Sequence, residues 1–387
     1  MKPTIVVITT TFPRWEHDTD PPFVFELCRR LTEDYEVHVT TPMYPQAKRY
    51  QCIDGVHVHR FRYFFARLEK LAGSTGILPT LKQNKMYWLL VPFLLLGSFF
   101  AALKLSRQVS PRIIHSHWLI PNGIIGVIAS KIGKSSSVVT AHGTDVFGLT
   151  GPLFDKLRRW VINNSKATIA VSSALAIEVS RKTTLATEVT VVPMGVDKDL
   201  FRCDKGCKFD PKLLYVGRLT EKKGIGYLIQ AMTKIVHKKP ECTLTIVGSG
   251  EDEENLKDLT VSLKLQKNVV FLGAIENKKL PSIYCDHSIF ITPSLSEGLG
   301  LTVVEASMCG CLLITTDNGG IRDIVENGIT GLIVKERSAS DIAEKILNAF
   351  ENPDQMAKTI KAATERCIQN FDWSIVKDKY EEIFNRA

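Results

Sequence analysis

Short β-branched runs alternate with helical stretches along the whole chain, and the alternation restarts once. The first series is TIVVITT (4–10), a helical FVFELCRRLTE, then EVHVTT, PRIIHSH, SSVVTAHGTD, KATIAVS and VTVVP. A polar, irregular stretch follows, PMGVDKDLFRCDKGCKFDPK (193–212), which reads as a linker. The second series is LLYVGRL, a helix from Gly224, TLTIVGSG, a helix from Glu251, VVFLGAI, IFITPS and LLITT. Continuously apolar strands spaced by helices are parallel strands covered on both faces. The pattern predicts two doubly wound α/β domains, residues 1–197 and 198–370, facing across a cleft. Residues 371–387, FDWSIVKDKYEEIFNRA, predict an amphipathic helix crossing back onto the first domain. In such sheets ligands bind outside the carboxyl ends of the strands. His142, Arg218, Glu297 and Glu305 all follow strands in this way.

The length, 387 residues, agrees with two domains at about 150 residues each. Charge is uneven. Residues 1–197 hold 23 Lys and Arg against 14 Asp and Glu, a net of +9, and the remainder holds 26 against 27, a net of −1. A basic front half suits anionic partners such as lipid head groups or phosphates. Without an RNP, KH or helix-turn-helix signature, nucleic acid is not expected as a partner. The nine cysteines are scattered and complete no zinc pattern, and the opening MKPTIVVITTTFP is too short and too β-like for a secretory segment. Both features are those of a protein of the reducing cytoplasm.

Residues 87–105, YWLLVPFLLLGSFFAALKL, stand apart. The apolar stretch 88–103 is 16 residues long, interrupted by Pro92, Gly97 and Ser98 and flanked by Lys82, Lys85, Lys104 and Arg107. A membrane span needs about 20 residues. Three readings are open: a buried core helix, a helix docking on a membrane by one face or tip, and a true span. The basic excess around it favours docking over spanning.

Two stretches carry candidate chemistry. In LLYVGRLTEKKG, Gly217 lets the chain turn off a strand, and Arg218 and Lys223 then sit before a helix. Two cations beside free helix N–H groups suit a pyrophosphate, although a solvated surface turn would look the same. In SLSEGLGLTVVEASMCGC (294–311), Glu297 precedes a glycine turn and Glu305 lies about one turn into the helix beginning near Leu301. A carboxylate there can accept bonds from vicinal hydroxyls, as the acidic residue does for ribose in dinucleotide sites. Each glutamate alone would also serve as a charge complementing the helix dipole.

The combination SEGLGLTVVEA, with its E-x7-E spacing, resembles the signature of glycosyltransferase family 4, the retaining nucleotide-sugar transferases of GT-B fold. HSHWLIPNG (115–123), VVTAHGTDVF (138–147), VVPMGVD (191–197), VGRLTEKKG (216–224), IVGSGEDEENL (246–256), VVFLGAI (269–275) and DNGGIRDIVENGITGLIV (317–334) fit in the same order. The resemblance implies that Arg218 and Lys223 neutralise the leaving diphosphate and that Glu305 holds the ribose. It implies that Glu297 contacts the donor sugar, and that the amides of Gly298, Leu299, Gly300, Leu301 and Thr302 face sugar and phosphate. Gly273, Ala274 and Ile275 would lie against the nucleobase. His142 would stand near the reacting centre, with Asp145 helping to position the acceptor.

One departure is visible. Where many relatives carry a Gly-Gly loop after the first strand, this chain reads FPRWEHDTDPPFVFELCRRL, as some polysaccharide-type members do. Pro21 and Pro22 have no N–H to donate, so Asp20 or Arg14 is expected to face the acceptor instead. DTD (18–20) mimics a metal motif of another transferase class, but the surrounding signature is that of a metal-free fold, so neither metal nor cofactor is expected. His115 and His117 alternate at a strand end, where they are core residues or, for His117, an acceptor contact.

The expected activity is transfer of a sugar from a UDP- or GDP-sugar to a hydroxyl of a glycan or lipid-linked acceptor, with retention, at the cytoplasmic face of an anionic membrane. Two rivals share the architecture: a nucleotide-sugar 2-epimerase and an inactive donor-binding scaffold, which would be expected to have lost Arg218, Lys223 or Glu297.

Overall fold

The computed structural model describes residues 2–15, 23–71, 77, 80, 81, 84–181, 189–203 and 209–387. The chain divides into two compact units, Met1–Pro193 with Lys377–Ala387, and Met194–Val376. The division falls at the start of the polar stretch 193–212. The described part of that stretch is packed rather than loose. Val196 N donates to Phe371 O at 2.8 Å, and Phe201 is buried with its ring edge-on to Tyr284.

The first unit is built on an eight-stranded sheet of order β3-β4-β2-β1-β5-β6-β7-β8. Its strands are β1 (Thr4–Ile8), β2 (Glu36–Pro42), β3 (Tyr50–Ile53), β4 (Val56–Phe61), β5 (Ile113–His117), β6 (Ser136–Ala141), β7 (Ala167–Ala170) and β8 (Val189–Val191). All pairings are parallel except β3 with β4. The strand order reverses between β1 and β5, the switch point at which such sheets take ligands. The β3–β4 hairpin was missed in the sequence, although its signal is present. Asp54 and Gly55 both have positive φ, the two-residue turn that DG favours between strands.

Helix Val91–Val109 resolves the apolar segment. Ala102 and Leu105 join Val6, Ile8, Ile114, Ile125 and Ala129 in the core, and Leu94 packs in a second cluster with Tyr63 and Leu71. The reading as a wholly buried helix is therefore corrected. Met86, Trp88, Leu89, Phe93, Leu96 and Phe100 are exposed, because the helix meets the unit along one side only. Segment Lys85–Val109 is long and apolar enough to cross a membrane. Crossing would strip Ala102 and Leu105 from the core, which argues against a span.

The second unit holds a fully parallel six-stranded sheet of order β11-β10-β9-β12-β13-β14. The strands are β9 (Lys212–Val216), β10 (Thr243–Val247), β11 (Val269–Gly273), β12 (Ile289–Thr292), β13 (Leu312–Thr316) and β14 (Leu332–Val334). Leu213, Leu244, Ile289 and Ile314 form one core with Leu228, Met232 and Ile235 of helix Ile225–Lys238 and Ile342 and Ile346 of helix Ala339–Glu351. The order reverses between β9 and β12, so the loops after these two strands share the switch point. The last helix, Trp373–Arg386, begins in this unit, where Trp373 covers Gly195. From Lys377 it belongs to the first unit, with Lys377 paired to Glu33 and Asp34 and with Tyr380 and Phe384 buried.

Candidate functional site

The loops after β9 and β12 meet at the switch point of the second unit. Lys223 Nζ donates to Glu297 Oε1 at 2.5 Å, and Leu295 N donates to Lys222 O at 2.7 Å. Gly224, at φ +67°, makes this approach possible, since a Cβ there would fall 2.2 Å from Pro293 O. Ser294 Oγ also donates to Glu297 Oε1, at 2.8 Å, and Ser294 is itself held by Thr316 and Asn318, which donate to its carbonyl. On the far side, Gly319 lies so close to the Glu297 carbonyl that any side chain would collide with it at 1.9 Å. Burial acts to raise the Glu297 carboxyl, but the Lys223 ammonium and the Lys223 and Ser294 hydrogen bonds hold it below its ordinary range.

Arg218 stands at the end of β9 beyond Gly217, with its carbonyl accepting from the buried Tyr215 hydroxyl at 3.1 Å. Its side chain is exposed, and its guanidinium makes no ion pair among the described residues. A fixed backbone with an unengaged guanidinium suits an incoming anion.

Glu305 lies in helix Leu301–Met308, which follows Gly300 and places Leu301 and Thr302 in its first turn. It is 8% exposed, in a helix whose other buried residues are Val303, Val304, Ala306, Ser307 and Met308. Tyr284 Oη donates to Oε2 at 2.8 Å and Asn277 Nδ2 to Oε1 at 3.5 Å. Burial pushes the carboxyl up to about 7, against the lowering effect of these two bonds. Asn277 follows Gly273, Ala274 and Ile275 at the carboxyl end of β11, so this segment and Glu305 are in contact through it. Tyr284 and Asn277 were not singled out in the sequence. They reach Glu305 across 21 and 28 positions, and no local spacing signals such a contact.

In the first unit, His117 ends β5 and His142 follows β6. His117 Nδ1 lies 2.8 Å from His142 Nε2, with the rings stacked. Phe23 and Trp118 pack against His142, which is half-buried. Burial, and then the neighbouring imidazole of His115, keeps His142 well below the ordinary histidine range, so it is neutral at pH 7. Trp118, which sequence reasoning also passed over, has φ +72°, a conformation that costs a bulky residue about 1–3 kcal/mol. Its N–H donates to Thr140 O at 2.8 Å, and its ring forms one wall around His142.

Asp145, expected to help position the acceptor, is 2% exposed, and its oxygens accept from the backbone N–H groups of Leu119 (2.7 Å), Gly143 (2.9 Å) and His142 (3.2 Å). It ties the loop after β5 to the loop after β6 and holds the backbone of His142. Asp20, the neighbouring Asp18 and the Pro21-Pro22 pair lie outside the described residues.

Two family models match the chain, Glycosyltransferase Family 4 over residues 22–200 and Glycosyl transferases group 1 over residues 204–366. The chain is 27% identical over 293 residues to a glycogen synthase of Mycobacterium tuberculosis, covering 73% of this chain and 70% of that one. It is 25% identical over 292 residues to a GDP-mannose-dependent phosphatidylinositol monomannoside mannosyltransferase of Mycolicibacterium smegmatis, covering 70% and 76%. Its fold matches the structure of Anabaena HepE in complex with UDP and glucose, with a TM-score of 0.77 at 18% identity and full coverage of both chains. The architecture is GT-B, two Rossmann-like domains.

Proposed function

The chain belongs to glycosyltransferase family 4, the group 1 glycosyl transferases, and we propose that it moves a sugar from a nucleoside diphosphate donor to an acceptor hydroxyl with retention of anomeric configuration. The observation that carries this reading is the pairing of Lys223 with Glu297 at a switch point, in the same loop as Arg218, whose guanidinium makes no ion pair among the described residues. Arg218 and Lys223 take the diphosphate. Glu305, backed by Tyr284 and Asn277, takes the ribose hydroxyls. Gly273, Ala274 and Ile275 border the base. Glu297 turns toward the donor sugar, and the amides of 298–302, at a helix N-terminus, face sugar and phosphate.

In the step we assign, the acceptor oxygen bonds to the anomeric carbon on the face from which the diphosphate leaves. The carbon–phosphate oxygen bond breaks with its electron pair going to the phosphate, and the acceptor proton passes to a phosphate oxygen. Arg218, Lys223 and the loop amides stabilise the charge that develops there, typically a large catalytic effect. Neutral His142 and the adjacent His117 are assigned to the acceptor side.

The donor is a UDP- or GDP-sugar, as the relatives' donor chemistry suggests. The acceptor is a lipid-linked or membrane-associated glycan, and the protein works at the cytoplasmic face of a membrane. Support for this comes from the exposed Trp88, Leu89, Phe93, Leu96 and Phe100, set in a +9 front half. Thermal shift with UDP-, GDP- and ADP-sugars tests the donor, since a ligand binding the folded form raises the melting point. Failure of every nucleotide sugar to raise it overturns the reading. Product analysis with the sugar that binds separates transfer from 2-epimerisation and from an inactive scaffold.

A further inference from the structure

Toward the edge of the first unit's sheet, at residues the proposed function does not use, Glu36, His38 and His57 bring one ligand atom each to within 4.8 Å of one another. The register explains why. His38 of β2 is the cross-strand partner of His57 of β4, and Glu36 and His59 lie two positions from them on the same strands. A period of two sends all four side chains to one face. The result is a pile of imidazoles, His38 on His57 with centroids 4.7 Å apart and His38 on His59 at 5.4 Å. From the structure we infer that Glu36, His38 and His57 form a site for one divalent transition-metal ion of the zinc class.

Two features support this beyond proximity. First, His38 Nε2 and Glu36 Oε1 are 3.1 Å apart. Two ligands each about 2.0–2.1 Å from a tetrahedral ion stand about 3.3 Å from one another, so the pair is already at ligand spacing. Second, each imidazole is held through its other nitrogen. His38 Nδ1 lies 3.1 Å from His59 Nε2, and His57 Nδ1 lies 2.9 Å from the Tyr50 hydroxyl. Metal-binding histidines are commonly oriented in this way, each ring held through its outer nitrogen. The second carboxylate oxygen of Glu36 faces Thr4 Oγ1 at 3.5 Å.

Imidazole and carboxylate together suit Zn²⁺ and its neighbours rather than Mg²⁺ or Ca²⁺. Glu36 and His38 lie toward the amino end of β2, whereas ligands of doubly wound sheets gather beyond the carboxyl ends. The ion therefore fastens the β3–β4 hairpin to the sheet edge and takes no part in sugar transfer.

The test uses full-length protein stripped with EDTA and titrated with Co²⁺, whose visible d–d bands report the ligand set. The expected result is one equivalent bound, with d–d bands but no thiolate charge-transfer band, and a melting point raised by the ion. His57→Gln and His38→Gln should each weaken binding by about 10-fold or more, and Tyr50→Phe by about 10-fold. Because Tyr50 is exposed, its variant keeps the test decisive even if a histidine variant unfolds. His142→Gln should bind as the wild type does. The site is overturned if the stripped protein shows no d–d bands, if only a thiolate band forms, if the Tyr50 and His57 variants bind at wild-type strength, or if His142→Gln abolishes binding.

Discussion

Lys223 Nζ donates a 2.5 Å hydrogen bond to Glu297 Oε1, joining the loop after β9 to the loop after β12 at the one point where the second sheet reverses its order. Both side chains are mostly buried, with 16% and 13% of each exposed. Removing one partner leaves a buried charge alone, at a cost of about 3–5 kcal/mol. Lys223→Ala is therefore expected to lower the melting point and to cut turnover. Arg218→Ala, at an exposed residue whose guanidinium makes no ion pair among the described residues, should leave the melting point nearly unchanged while lowering turnover by about 100-fold or more, the scale of one lost oxyanion donor. Turnover and melting measured on the same preparations check this, and a normally active Arg218→Ala protein would remove Arg218 from the phosphate site.

Glu305→Ala should damage donor binding more than the fold, because the lost charge-assisted bonds to the ribose are worth about 2–5 kcal/mol of affinity. Tyr284→Phe keeps the ring in its buried place and removes only the hydroxyl that orients the carboxylate. It should weaken donor affinity by roughly 5- to 10-fold, in line with one hydrogen bond to a charged group. Calorimetric titration with the donor identified by thermal shift provides the measurement, and unchanged affinity in Glu305→Ala would dismiss the ribose assignment.

The raised Glu305 carboxyl makes two opposite pH dependences. The folded protein keeps a proton that the unfolded chain gives up between its ordinary pKa of 4.5 and about 7, so Glu305 favours the fold less as pH rises through that window. Donor binding runs the other way, since ribose hydroxyls donate best to the ionised carboxylate. Affinity should climb between about pH 6 and about pH 8 and then level off, and the climb should vanish in Glu305→Gln. A pH-independent wild-type dissociation constant contradicts the assignment.

Transfer should survive complete chelation of divalent metal. A leaving diphosphate needs positive charge opposite it, and the proposed function assigns that compensation to Arg218, Lys223 and the loop amides. An ion at Glu36, His38 and His57 would be lost in EDTA with a fall in melting point but without loss of turnover at moderate temperature. The competing view places a metal on Asp18 and Asp20. Turnover abolished by EDTA and restored by Mn²⁺ would uphold that view.

The exposed apolar residues of 86–100 and the basic front half act by different physics, so salt should loosen membrane association without abolishing it. Cell fractionation at low and high salt measures this. A protein found wholly in the soluble fraction at low salt rules it out.

Strand–helix alternation and its single restart were enough to determine two doubly wound sheets, because a continuously apolar β-branched run can be buried only between two helical layers. Gly217-Arg218, Lys223 and the E-x7-E pair were legible for a related reason: turns and helix starts are local, and the residues they present follow within a few positions. Only the tertiary structure decided what each of these residues touches. Tyr284 and Asn277 reach Glu305, and Asp145 turns inward to three backbone N–H groups, through contacts set by strand order and helix packing. The same holds for residues 87–105, whose composition is equally that of a core helix and a surface one. Which side of that helix is covered depends on Val6, Ile114 and Ile125, brought to it by strands and a helix distant in the chain. Residues 36, 38 and 57 come together only because β4 pairs with β2 in a particular register, and register belongs to the assembled sheet rather than to either strand.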